Sequence, residues 1–372
     1  SACLVGSEMC IRDSAGTKLS ADQSSEAAIQ SFVVKIGDAN VEGKIDGNNI
    51  SFIIPDGLEN LTFAPTIVIS DKATITPASG VEQDFSSPVI YTVTSEDGIV
   101  TTKYTVSVSG QIRDFGFDEW ETIKSSTSGS TEQYDVPKGL YGTSNPGIMT
   151  INEMFGSNLP ELFSYTVSPV EGQSGKAAKL QTVYTYMFLN GMDFNALLGG
   201  LVPYVTAGSL FTGIFKTDMN NTLNSTKFGV PFVGEPATFT GYYKYTPGTT
   251  YYNNKNEVVA NKTDECSIYA VLYEELLDEE NNNIPLNGDY NDPDLYIGSS
   301  KRIVMKAVLE DGTAKSDWTK FSIPFKLLEG KSYDATKKYY LAIVCSSSAE
   351  GDYFMGAPGS TLFIDSFTVT PQ

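Results

Sequence analysis

The sequence contains no histidine. This removes Ser-His-Asp and Cys-His nucleophile systems, His-ligated zinc hydrolases and the commonest general base. Any catalysis is left to paired carboxylates, the groups that cleave glycosidic bonds. Basic residues are scarce too: 25 Lys and Arg stand against 45 Asp and Glu, for a formal net charge of −20. With no basic footprint there are no counterions to release from a phosphate backbone, so nucleic acid is excluded as a partner. The same shortage argues against an anionic membrane surface. Acidity of this size keeps a chain soluble and suits calcium. Of the four cysteines, Cys3, Cys10, Cys266 and Cys345, no two have a metal-ligand spacing such as C-x-x-C. Cys266 and Cys345 sit in apolar strand-like runs, where the default is a small buried residue. A disulfide between them is the alternative in an oxidising compartment. The uncharged stretch Phe194 to Phe215 is broken by Gly199, Gly200, Pro203 and Gly208. It reads as strand-loop-strand and not as a membrane span.

Aromatic residues are plentiful, with 21 Tyr and 20 Phe beside only 2 Trp. Both common types favour strands. Tyr also combines a flat apolar face with a polar tip, which suits contact with sugars or with a sheet core. Residues 1–28 read as a tether. Within it Ser1-Ala2-Cys3 has the form of a lipoprotein-signal tail with Cys3 as the acylated residue, and Leu4 to Ser14 is set aside from fold reasoning.

A first β unit spans residues 29–110. Its expected strands are Ser31–Gly37, Asn49–Ile54 after an Asp46-Gly47 turn, and Thr66–Ser70. Pro88–Ser95 and Ile99–Val108 form a hairpin through Glu96-Asp97-Gly98, with Val100, Tyr104, Val106 and Val108 at even spacing. Short strands separated by turn signals predict an Ig-like sandwich. Residues 115–372 hold strand-like runs throughout, and the one helix-like piece, Tyr273–Asn281, is too acidic to favour a helix. A β-only stretch of this length without repeats predicts one larger jelly-roll sandwich. The fold class is therefore all-β.

Three groups of residues stand out as candidate sites. Asp118 and Glu119 open the second unit and Asp365 lies near its last strand. First and last strands of a jelly-roll can be neighbours, so Asp118 and Asp365 could share a Ca²⁺ ion; two solvated carboxylates are the alternative. The ring-dense run Gly241 to Gly248 puts Tyr243 and Tyr245 on one strand face and Tyr242 and Lys244 on the other. One such face would offer a sugar a stacking platform, or else pack the core. Small-residue loops at Tyr141–Asn145 and Ser346–Ser360, the latter with Asp352 and Tyr353, would let a ligand approach the backbone closely.

Five segments, Phe117–Glu121, Tyr141–Asn145, Ala207–Gly213, Gly241–Gly248 and Ser346–Asp365, together resemble the putative carbohydrate metabolism domain of gut Bacteroidetes surface proteins. The likeness covers nearly all of residues 115–372. It departs at Tyr141, where the family segment usually carries Trp. Tyr91–Gly98 leading into Tyr104-Thr105-Val106 resembles the Ig-like domain that often precedes it. The resemblance implies an exported outer-membrane lipoprotein anchored through Cys3, a carbohydrate-binding jelly-roll, and calcium at Asp365. Its partners would be polysaccharides or oligosaccharides and other surface glycan-utilization proteins. The candidate ligand-binding set is Trp120, Tyr141, Asn145, Tyr242, Tyr243, Tyr245, Asp352 and Tyr353, with no catalytic residue singled out.

Three functions follow from this reading. The first is a surface glycan-binding protein that assists polysaccharide capture. The second is a carboxylate-type glycoside hydrolase, which needs two carboxyls in one cleft. The third is a structural or adhesion component with an open edge strand.

Overall fold

The computed structural model describes residues 23–372, apart from residues 56, 57, 59, 86, 87 and 112. Cys3, Cys10 and most of the tether lie outside the described residues. The chain divides into two compact units, Ser1–Gln111 and Ile112–Gln372.

The smaller unit is an Ig-like sandwich of two sheets. Ala39–Glu42, Ile29–Ile36 and Thr66–Ile69 form one; Lys44–Asp46, Asn49–Ile54, Thr101–Gln111, Val89–Thr94 and Thr74–Thr76 form the other. Alternation decides which side chains face inward: Phe32 and Val34, Ile50 and Phe52, Tyr91 and Val93 are all buried. Their rings meet edge to face, as Phe52 and Phe85 do at 5.3 Å and 84°. The expected hairpin forms, and Asp97 Oδ1 fixes its turn by accepting from Ser95 Oγ at 2.5 Å and Ile99 N at 2.9 Å. The hydroxyl of Tyr91 is sealed in this core without a hydrogen-bond partner among the described residues.

The larger unit is a jelly-roll sandwich. Its six-stranded sheet runs Val167–Glu171, Lys176–Gln181, Thr361–Pro371, Pro236–Thr246, Lys315–Pro324, and Arg113–Phe115 also pairs with Thr361–Pro371. First and last strands are thus neighbours. The eight-stranded sheet runs Tyr141–Thr143, Ser209–Phe215, Tyr339–Ser346, Ser267–Glu274, Ile303–Val308, Lys326–Leu327, with Thr226–Phe228 and Val230–Phe232 joined at its side. Between the sheets lies the main core, which includes Phe239, Tyr243, Tyr245, Ile268, Ala270, Leu272, Ile343, Cys345, Leu362, Ile364 and Phe367. Each such large apolar side chain contributes roughly 1.5–3 kcal/mol by leaving water. Cys266 and Cys345 are free thiols within it, and burial pushes the Cys266 thiol up to about 12.

Alternation also gives the eight-stranded sheet a second apolar face. Phe211, Val271, Tyr273, Ala342 and Val344 point away from the main core and gather with Phe228, Leu286, Ile297 and Ile303. Residues that a sandwich would normally expose are apolar here, so this face must be covered. Long connections cover it, and one contains the helix Asn145–Phe155, which lies in a chain expected to be strands and loops only. Pro146 suits its first turn, where no N–H bond is needed. Ile148 and Ile151 turn inward onto Met187 and Val202. The stretch 194–215 also differs from expectation, opening on a short helix, Phe194–Leu197, whose N-cap Asp193 accepts from Ala196 N at 3.0 Å. Tyr273 ends a strand with its ring buried, and no helix follows it.

Candidate functional site

The second apolar face of the eight-stranded sheet floors a cavity of about 270 Å³. Phe211, Phe228, Val344 and Tyr269 rise from the strands, and Phe215 continues the same line. Gly147, Thr150, Ile151, Met154 and Phe155 come from the helix Asn145–Phe155; Met219 and Leu223 come from the connection before Thr226. Gly288 and Ile297 supply one side, and Gly351, Asp352 and Phe354 another. Most of these walls are hydrocarbon. Asp352 is the one charged side chain in the lining, and no Lys or Arg accompanies it.

The two segments that contribute Gly288 and Asp352 also carry the exposed rings. Tyr290 is 36% exposed and Tyr353 39%. Their rings stack with centroids 5.0 Å apart and planes at 26°, while Tyr296 meets Tyr290 edge-on at 6.5 Å and 87°. Tyr296 donates its hydroxyl hydrogen to Asp352 Oδ2 in a short bond. Asp352 is open to water as a residue, yet protein crowds its carboxyl. That desolvation raises its pKa, and the Tyr296 bond pulls only partly against it. Burial, helped by the Asp352 charge, also pushes up the Tyr269 hydroxyl.

The loop that presents Asp352 and Tyr353 is held by a buried carboxylate. Asp264 is 2% exposed, and its Oδ2 accepts from Ser348 Oγ at 2.6 Å, Ser360 Oγ at 2.7 Å and Ala357 N at 2.8 Å. Gly356 allows the close approach, since a Cβ there would meet Ser348 Oγ at 2.3 Å. Burial raises the Asp264 pKa while these donors oppose it. Within the same loop Glu350 turns elsewhere, bonding Tyr251 and Lys262. Burial would raise its pKa, but Lys262 and Tyr251 outweigh that and hold it below the usual range.

Of the residues singled out in the sequence, Asp352 and Tyr353 fall at this site. Most of the others make contacts within the fold. Asn145 is fully buried; its Oδ1 accepts from Thr166 N at 3.0 Å and Val167 N at 2.9 Å, and its Nδ2 donates to Val167 O at 2.8 Å. Tyr243 and Tyr245 face the main core and donate to Asp311 O and Ser347 O, which corrects their reading as a platform. Tyr242 stands half-buried on the opposite face with Lys320 Nζ 6.0 Å from its ring centre. Trp120 packs on the core and donates Nε1–H to Phe117 O at 2.6 Å, and Tyr141 donates to Gly116 O at 3.1 Å.

Asp118 and Asp365 both bond the 172–176 loop. Asp365 Oδ2 accepts from Gln173 N at 2.7 Å and Ser174 N at 3.1 Å, and Asp118 Oδ1 accepts from Lys176 N at 2.9 Å. Ser366 Oγ donates to Asp365 Oδ1 at 3.0 Å. No group of three or more His, Cys, Asp or Glu side chains gathers among the described residues. In this arrangement both carboxylates anchor the loop.

A second ring group was missed in the sequence. Tyr184 stacks on Tyr252 at 5.1 Å and 28°, and Tyr186 touches Tyr184, Tyr204 and Phe188 at 5.6, 5.8 and 6.2 Å. Phe188 is 60% exposed. Asn256 and Asp193 accept the hydroxyls of Tyr184 and Tyr204 at the rim of these rings. The alternation Tyr184, Tyr186, Phe188 was the available signal.

Comparison with known proteins places these features in context. Residues 116–370 match the family described as the putative carbohydrate metabolism domain, and residues 29–108 match the SGBP N-terminal domain. A solved protein of Bacteroides thetaiotaomicron, described as a putative glycoside hydrolase, is 31% identical; the match covers 95% of this chain and 99% of that one, with a TM-score of 0.55. A second from Bacteroides vulgatus, described in the same words, is 27% identical over 68% of this chain and 96% of that one, with a TM-score of 0.50. No curated protein matches the chain.

Proposed function

The chain belongs to the putative carbohydrate metabolism domain family, and on that premise we propose that it binds glycans at a cell surface and captures polysaccharide without cleaving it. The observation that carries this reading is the exposed Tyr290–Tyr353 stack beside a cavity with a single carboxylate. Flat rings take the apolar face of a pyranose, and neighbouring polar groups bond its hydroxyls. The strip of Tyr184, Tyr186, Phe188 and Tyr252 offers a further length of the same chemistry for a polymer. Cys3 would carry the lipid anchor to the outer membrane, and other surface glycan-utilization proteins would receive the captured chain.

A hydrolase reading has its own support, because two similar solved proteins are described as putative glycoside hydrolases. The two-carboxylate mechanism needs a partner for Asp352 within about 5–9.5 Å across one cleft. Glu350 is the near neighbour in sequence, but Lys262 and Tyr251 engage it away from the lining. A glycan array followed by calorimetry separates the two. Saturable binding with no new reducing ends supports capture; reducing-end release overturns it in favour of hydrolysis.

A further inference from the structure

The cavity beside the rings has the wrong chemistry for a bare sugar. Its walls carry Phe155, Phe211, Phe215 and Phe228, with Met154 and Met219 among them. Several hydroxyls of the lining already serve the protein: Ser144 Oγ bonds Thr166, Thr150 Oγ1 donates to Pro146 O, Ser346 Oγ to Ser348 O and Ser348 Oγ to Asp264. A hexose buried here would leave most of its own hydroxyls unpaired, and that loss exceeds what contact with hydrocarbon returns. A carboxylated sugar fares worse, because no cation lines the wall and Asp352 would repel it.

What the walls do suit is an aromatic ring. Phenylalanine edges and faces offer T-shaped contacts, and methionine sulfur packs well against a ring. An apolar cavity of about 150 Å³ accepts benzene. The present cavity, about 270 Å³, leaves space for a ring with a short arm. One buried polar atom of the lining, Thr226 Oγ1, has no hydrogen-bond partner among the described residues, and Tyr269 brings a hydroxyl to the same lining. They match the one or two polar atoms that a phenol or an ester carbonyl brings.

We infer that this cavity takes an uncharged aryl group attached to a glycan, as an aromatic ester or an aryl glycoside, while the sugar stays at the Tyr290–Tyr353 rim. The sugar half of this statement rests on the glycan-binding reading; the aryl half does not. Recognition therefore falls on decorated chains in preference to bare ones.

The test uses p-nitrophenyl glycosides of glucose, xylose, arabinose and galactose, the matching methyl glycosides, and p-nitrophenol alone, all in mildly acidic buffer so that the free phenol stays uncharged. Calorimetry on the full chain is expected to show each aryl glycoside binding at least tenfold more tightly than its methyl counterpart, whichever the sugar. Gly147 lines the cavity, and a Cβ there would meet only Phe215 Cζ at 3.8 Å, so Gly147→Leu directs its side chain into the space. That variant should lose the aryl preference and keep its binding to unsubstituted polysaccharide. Tyr269→Phe, a milder change, should weaken p-nitrophenol binding severalfold and leave melting unchanged. Equal binding of aryl and methyl glycosides, or no binding of p-nitrophenol and all aryl glycosides, overturns the inference. Unsubstituted polysaccharide then reports separately on glycan capture, so the two failures are told apart.

Discussion

The ring of Tyr353 lies 5.0 Å from that of Tyr290, with 26° between their planes, and both rings reach solvent. They come from connections about sixty residues apart in sequence, so the stack exists only because the fold brings two loops together. Truncating either ring removes half of the platform and frees the other to move. Tyr353→Ala and Tyr290→Ala are each expected to weaken polysaccharide binding about tenfold, or roughly 1.4 kcal/mol. Neither should shift the melting temperature by more than a few degrees, because both side chains are partly exposed. Affinity electrophoresis with a calorimetric melt reads both quantities.

Asp264 should matter to binding without touching ligand. Its replacement by Ala strands the Ser348 and Ser360 hydroxyls and the Ala357 N–H in a buried place. Unpaired buried groups cost about 1–3 kcal/mol each. We expect Asp264→Ala to lose about 3 kcal/mol of stability in urea unfolding. Glycan affinity should fall too, because the Ser346–Ser360 loop no longer holds Tyr353 in place. Asp264→Asn, which keeps an acceptor oxygen, should recover part of both.

Tyr91 gives a prediction of opposite sign. Its buried hydroxyl has no partner among the described residues, so the fold carries an uncompensated desolvation. Tyr91→Phe removes it with the ring shape kept. The variant is expected to be as stable as the wild type or about 1 kcal/mol more stable, measured by denaturant midpoint at constant m.

Alkali should unfold the protein in a defined window. Burial raises Tyr91, Tyr243 and Tyr273 to about 12 in the folded state, against about 10 in an unfolded chain. A raised folded pKa means that the unfolded state releases its proton first. The stability tied to these hydroxyls is therefore intact below about pH 10 and lost as pH climbs toward 12. With no histidine in the sequence, the melting temperature should stay level between about pH 6 and pH 8, above which the buried Cys266 and Cys345 thiols, raised in the folded state, begin to add to the loss. A melting series from pH 6 to pH 11.5 checks both limbs.

Chelation should be silent. Asp118 and Asp365 clasp the 172–176 loop through backbone N–H groups. Added EDTA or calcium is expected to leave the melting temperature unchanged. Asp365→Ala should lower it, because that loop loses its buried anchor. A calcium-dependent rise of several degrees would return these two residues to a metal-binding role.

The strands were legible in the sequence because a half-buried strand writes its burial into alternate positions. Asn49–Ile54 and the Val89–Thr94 hairpin carry that signal clearly. The helix Asn145–Phe155 was not legible, since it begins Asn-Pro-Gly, has no side-chain cap and no acidic first turn. Tyr243 and Tyr245 show why ring density alone misleads: an aromatic inner face and an aromatic outer face look alike in one strand. Tyr290 and Tyr296 escaped notice because loop residues have no period. Asp352 and Tyr353 were marked in the sequence because small residues around them signalled a close approach.

The strand Thr361–Pro371 occupies the middle of its sheet, between Lys176–Gln181 and Pro236–Thr246. It is the keystone, and it is the latest strand of the described chain to be synthesised. Until it arrives, the two halves of that sheet have nothing to close upon. Removing that one strand should leave two unmatched half-sheets rather than a slightly shorter domain.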